Sequence, residues 1–202
     1  MATYTTIGLC NHALVLCGAS PITALTEESP NARALNAIFE DSRKGFLTEC
    51  RWTFALTRSS LATSATTMAW LHDEEAYVYD RPSNCLRVWE MSDLEAIWRE
   101  EGAYIISNTA SLGTLYTHDH SEVGLWRPKA TIAFIDKLCS DICFMILQSG
   151  PKAEAFLAKY TKVSLPDAMA EESQTGTHQE PIDDMWLKSK YGQSGNAGRS
   201  YS

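Results

Sequence analysis

The sequence predicts an α+β fold: a mainly antiparallel bundle of about four helices, an inserted small antiparallel β-sheet and an extended C-terminal tail. Three observations predict it. Apolar residues recur at helical spacing over 5–50 and again over 128–172. Between them, over about 66–125, short aromatic and β-branched runs alternate with turn residues. Past residue 172 large apolar residues thin out and Gly and Ser accumulate. The reading is therefore one domain over 1–172 and a tail over 173–202. A chain of 202 residues buries roughly 70% of its unfolded surface, so its core needs no disulfide or metal.

Each helix has a legible start and stop. In the first, over 5–18, Ile7, Cys10, Leu14 and Cys17 share a face, and Gly18 closes it as a left-handed cap. Ser29 then caps a second helix whose first position is Pro30. Its inward side is Ala32, Leu35, Phe39, Ser42, Phe46 and Cys50; Glu40, Asp41, Arg43, Lys44 and Glu49 are expected to face out. The two make an αα-hairpin. Trp52 and Phe54 share a face if the chain is extended there, an anchor where helix gives way to sheet.

Strands are expected near 76–79, 86–89, 96–98, 104–106 and 114–116, with 63–67 as a loop. After Trp126-Arg127-Pro128 a third helix runs to about 148. Ile132, Ile135, Cys139, Ile142 and Ile146 form its stripe, and Phe134, Leu138 and Met145 widen it over most of the circumference. Such a helix is central in its domain or packs on a neighbouring subunit. Gly150-Pro151 starts a fourth helix, which Pro166 kinks or restarts. In the tail, Ile182, Met185, Trp186 and Leu187 form an apolar island around Asp183 and Asp184. It is too small to fold alone and suits docking on a partner.

The net charge is −8. Residues 66–125 hold three basic and eleven acidic side chains, so the whole imbalance lies there; the flanking segments balance. The acidic set includes Asp73, Glu74, Glu75, Asp80, Glu90, Asp93, Glu95, Glu100 and Glu101. This sign argues against a general nucleic-acid binder.

No secretory leader and no apolar run of membrane-spanning length is expected. The six cysteines include no C-x-x-C pair and read as free thiols of a reducing compartment. Hydrolase, zincin, P-loop and dinucleotide motifs are missing, so no catalytic residue, metal or cofactor is assigned. His118 and His120 would share a strand face, but without a third ligand His118-Asp119-His120 reads as a solvated turn. One enzyme reading stays open: Asp73, Glu74, Glu75, Asp80, Glu90 and Asp93 as a hard-cation site of a small metal-dependent hydrolase or nuclease. Glu74 and Glu75 diverge on a strand, which counts against it.

Several motifs occur in a telling order. Asn11-x-Ala13-Leu14 with Gly18 and Ile22 comes first, then Trp52-x-Phe54-Ala55 with Arg58 and Leu61. Pro82-Ser83-Asn84-Cys85-Leu86-Arg87-Val88 follows, and then Glu101-Gly102, Leu115-Tyr116 and Leu125-Trp126. Over about 5–165 this resembles the tail tubular protein A family, the head-to-tail adaptors of short-tailed, podovirus-type phages. The chain has Asn84 where aspartate is more usual, Ala130 where phenylalanine is expected, and Pro166 in a helix that usually runs longer.

The resemblance implies a structural virion protein made in the host bacterial cytoplasm. Such proteins form a ring, usually of twelve copies, between portal and tail nozzle, with tail fibres as further neighbours. DNA passes through the centre without sequence-specific binding, and no cofactor is known for the family. An acidic segment then suits a channel wall that repels phosphate, or else a solvated outer face. A non-viral binding module is the remaining alternative.

Overall fold

The computed structural model describes residues 4–72 and 75–175. Asp73, Glu74 and the tail residues Ile182, Met185, Trp186 and Leu187 lie outside the described residues. The helices are α1 (Thr6–Cys17), α2 (Pro30–Glu49), α3 (Pro128–Leu147), α4 (Gly150–Lys159) and α5 (Leu165–Ser173). The strands are β1 (Leu56–Ser60), β2 (Tyr77–Asp80), β3 (Cys85–Met91), β4 (Trp98–Glu101), β5 (Tyr104–Ser107) and β6 (Gly113–His118). The fold is α+β.

Local chemistry sets the helix ends. The Thr5 hydroxyl accepts from the Gly8 N–H and the Ser29 hydroxyl from the Ala32 N–H, each serving a first-turn donor that has no carbonyl partner. Gly18 ends α1 at φ +83°, a conformation glycine alone reaches without strain. α3 is the hub. It packs against α1, α2, α4 and α5, and Ala133, Phe134, Leu138, Cys139, Ile142 and Cys143 are fully buried. Its nearly all-round apolarity is thus spent mostly inside the domain. α4 passes into α5 through a π-helical turn, Tyr160–Ser164, with Pro166 in the first turn of α5. Pro166 restarts the helix because its missing N–H is harmless there.

Three expectations are corrected. The β region is two antiparallel three-stranded sheets, β1-β6-β3 and β2-β5-β4, rather than one. β1 precedes the expected β region: Leu-Thr-Arg-Ser-Ser shows little alternation because it is an edge strand with no fully buried residue. The 63–67 loop reading fails at its start. Asp80 N–H donates to Ala62 O at 3.0 Å, Ser64 N–H to Val78 O at 2.8 Å, and Thr63 bridges Tyr79. One chain segment therefore borders β6 and then β2, joining the sheets.

The other corrections concern side chains. Residues 52–55 form a turn, closed by Ala55 N–H on Trp52 O at 2.9 Å, not an extended segment. Arg43 points inward, its side chain 2% exposed. Its charge is met inside the protein, which amphipathic spacing cannot show.

The six thiols are free, five of them buried and Cys50 half-buried. No helix among the described residues is long and apolar enough to cross a membrane.

Candidate functional site

The motif residues Trp52, Phe54, Ala55 and Trp126 meet where the bundle meets the β1-β6-β3 sheet. Phe46 stacks on Trp52 (ring centroids 4.6 Å) and on Trp126 (5.5 Å); Phe54 stacks on Trp52 (5.8 Å) and Trp126 (5.5 Å). Phe134 of α3 meets Trp126 edge-on at 5.1 Å. These offset and edge contacts suit aromatic quadrupoles. The column ties α2, α3 and the turn ahead of β1 into one core, with Ala55 buried beside it.

Trp52 also ends α2. The last four carbonyls of a helix lack intrahelical donors. The Trp52 indole N–H donates to Phe46 O at 2.8 Å, and Arg87 Nη1 donates to Thr48 O at 2.8 Å. Arg87 brings a cation to the negative end of the helix dipole, and its guanidinium lies 4.1 Å from the Trp89 ring centroid. Leu86 packs on the bundle core, and its carbonyl accepts from Arg81 at 3.0 Å. Pro82 O accepts from Cys85 N–H at 3.0 Å and starts β3. Asn11 pins the loop after Gly18 with two bonds: Nδ2 to Ile22 O at 2.9 Å, and Ile22 N–H to Oδ1 at 2.7 Å. Leu14 is fully buried. Arg58 differs. It stands exposed on β1 and has no ion-pair or hydrogen-bond partner among the described residues.

Sequence reasoning missed the polar bolts. Buried Arg43 donates to His120 O (2.7 Å), Glu40 (2.7 Å) and Asp119 (2.6 Å), locking α2 to the segment after β6. His118-Asp119-His120 is thus partly a docking turn. Asp136 of α3, 1% exposed, accepts from Lys159 at 2.8 Å and from the Ser164 hydroxyl. The Tyr160 hydroxyl donates to Glu49, which also pairs with Lys137 at 3.3 Å. Burial and that carboxylate push the Tyr160 phenol well above its ordinary range. Glu172 of α5 accepts from Thr53 N–H at 2.9 Å and pairs with Arg127 at 3.2 Å.

The acidic segment is partly neutralised by its own arginines. Arg99 lies 3.0 Å from Glu75 and 2.8 Å from Glu101; Arg81 lies 3.8 Å from Glu100; Arg51, from outside the segment, lies 3.1 Å from Glu90. Asp93 accepts from Glu95 N–H and the Thr109 hydroxyl. Asp80 and Glu95 are exposed and have no ion pair among the described residues. The charges divide by sheet. β2-β5-β4 carries Asp80, Arg99, Glu100 and Glu101, whereas β1-β6-β3 carries Arg58, Arg87 and Glu90. Among the described residues no group of three or more His, Cys, Asp or Glu is placed to hold a metal ion.

A cleft of about 570 Å³ opens on the β1-β6-β3 sheet, lined among others by Arg58, Glu90, Met91, Leu94 and Leu115. Arg58, Leu115 and Glu90 pair across the three strands and so share one face. Three thiols cluster between α1 and α3. The neighbouring Cys139 and Cys143 thiols bring Cys17 down to about 7, while proximity to Cys17 together with burial raises Cys139, and burial together with Cys17 raises Cys143.

The fold and these surfaces define a helix-bundle protein with a two-sheet elaboration whose family-like motifs serve packing. No protein-family model matches the chain, and no curated protein sequence matches it.

Proposed function

We propose that the chain is a structural virion protein, the ring-forming head-to-tail adaptor between the portal and tail nozzle of a short-tailed phage. The observation that carries this reading is the convergence of motif residues. Trp52 and Phe54 of one motif and Trp126 of another, distant in sequence, stack in one aromatic column at the helix–sheet junction, with Ala55 buried beside them.

Other features fit the reading. Val15 and Leu16 on α1 and Phe144 and Met145 on α3 are exposed apolar side chains; a ring gives each subunit two heterologous neighbours able to cover such residues. The acidic β2-β5-β4 sheet, facing a channel, repels phosphate and lets DNA slide. Assembly would take place in the host cytoplasm on the portal, with nozzle and tail fibres joining below.

The test is light scattering after size-exclusion chromatography, on the protein alone and mixed with the portal protein of the same genome. The expected result is a portal complex whose class averages show a closed ring with an open centre. A protein that stays monomeric and never joins the portal overturns the reading.

A further inference from the structure

We propose that the open edge of β1, with the cleft beside it, is the docking site of this chain's own residues 182–187, which add a strand to the β1-β6-β3 sheet. Four observations meet at this place.

The first is an unsatisfied edge. His118 N–H donates to Ala55 O and Leu61 N–H to Leu112 O, each at 2.8 Å, and the β1–β6 register runs evenly between them. Odd-numbered residues of β1 therefore bond to β6, while Leu56, Arg58 and Ser60 turn their N–H and C=O groups outward. Further along, the same outward edge is satisfied by β2, through Ala62 and Ser64. β2 ends at Asp80, and the next N–H, of Arg81, turns to Ala103 O instead. Among the described residues nothing replaces it beside 56–60. A row of open strand groups is a template for one more strand.

The second is the exit of the chain. Glu172 binds Thr53 N–H, and Thr175 N–H closes a turn on Glu172 O at 3.1 Å. Thr53 lies just ahead of β1. The sequence past 175 thus sets out from the start of the open edge. The residues from 175 to 182 span roughly 23 Å when extended, enough to pass Arg58.

The third is charge. Arg58 is exposed and unpaired among the described residues, and 182–187 carries Asp183 and Asp184 side by side. The fourth is shape. The cleft next to Arg58 has Leu115, on the same face, in its floor and Leu94 at its rim, with Leu94 90% exposed. An extended strand alternates its side chains, so a carboxylate can meet Arg58 while Met185 or Leu187 enters the cleft. Tethering keeps the local concentration of the segment high, so the own tail has the advantage over a free peptide.

The proposal stands apart from the ring reading, because its test uses the full-length monomer without portal. Amide hydrogen exchange is followed by mass spectrometry at two protein concentrations. The expected result is that peptides over 182–187 exchange about tenfold or more slowly than in a synthetic 176–202 peptide. Protection in 56–60 should accompany it, with no concentration dependence. Arg58→Glu should return 182–187 to the free-peptide rate, and adding Asp183→Lys and Asp184→Lys should restore protection. Unchanged exchange in α3 shows that the variants fold. Free-peptide rates in the wild type, protection indifferent to Arg58→Glu, or protection that rises with concentration and so belongs to a neighbour's tail would each overturn it.

Discussion

Nη2 of Arg43, on α2, reaches the carboxylate of Asp119, beyond β6, at 2.6 Å, while Nη1 holds the carbonyl of His120. One buried cation thus fastens helix to sheet across 76 positions of sequence. Removing one partner of a buried pair costs more than the pair contributes, because the other charge is left desolvated. Arg43→Ala should destabilise by about 3–5 kcal/mol. Asp119→Asn, which keeps an acceptor near a half-open site, should cost about 1–2 kcal/mol. Urea denaturation of the two variants checks both the sign and the order.

Trp52 and Trp126 sit in the same aromatic column but differ in polar chemistry. The Trp52 indole caps Phe46 O, whereas the buried Trp126 N–H has no hydrogen-bond partner among the described residues. Trp126→Phe should therefore cost less than Trp52→Phe, which strands a helix carbonyl. Trp52→Ala, which removes a fully buried ring, should cost about 3–5 kcal/mol. Equal losses for the two Phe variants, measured by thermal unfolding, would show that the cap contributes nothing.

The contrast between these bolts and the helices shows what the sequence made legible. Helix boundaries followed from Ser29-Pro30, Gly18 and Gly150-Pro151, because capping is local chemistry written in adjacent residues. The apolar circumference of α3 left open a central helix or a subunit contact, and its packing against four other helices shows the first. Arg43, Asp136 and Glu172 could not be placed this way. Each is buried by a partner that is distant in sequence, and a charge alone reads as solvent-facing. β1 was hidden for a related reason: an edge strand answers to one neighbour and leaves little alternation. The motif residues were found, yet their role as a helix C-cap and an aromatic column needed coordinates.

Tyr160 contributes to the loss of stability at alkaline pH. Its phenol is shifted upward by burial and by Glu49, so the native state holds the proton more tightly than the unfolded chain. Stability from this group is complete below an ordinary tyrosine value of about 10 and falls as pH rises above it. Tyr160→Phe should flatten that decline, although it forfeits a hydrogen bond worth about 1–2 kcal/mol at neutral pH. Urea midpoints of both proteins across the alkaline range test this. Parallel curves would remove Tyr160 as the cause.

Glu172 closes the far end of the fold by serving the Thr53 N–H and Arg127 together. Glu172→Ala should cost about 1–3 kcal/mol by stranding a backbone donor next to Trp52. Truncation after Thr175 keeps this clasp and should retain the cooperative melt; truncation after Ala170 removes it and should behave like the point variant or worse. Circular dichroism melts of the three chains decide the matter. A post-175 truncation that fails to fold would place the tail in the core.

Asp80 and Glu95 are exposed and unpaired among the described residues, so reversing them should change stability by no more than about 0.5 kcal/mol. In a ring, however, each reversal is repeated in every subunit. If the β2-β5-β4 sheet lines the channel, Asp80→Lys on β2 with Glu95→Lys in the turn ahead of β4 turns a repelling wall into an attracting one. The portal-bound variant should then retain duplex DNA at low salt, with an affinity falling steeply as salt rises through counterion release. The wild-type ring should leave DNA free under the same conditions. Fluorescence anisotropy of a labelled duplex separates the two. A variant ring as indifferent to DNA as the wild type would put the sheet on the outside, where its charge serves solubility alone.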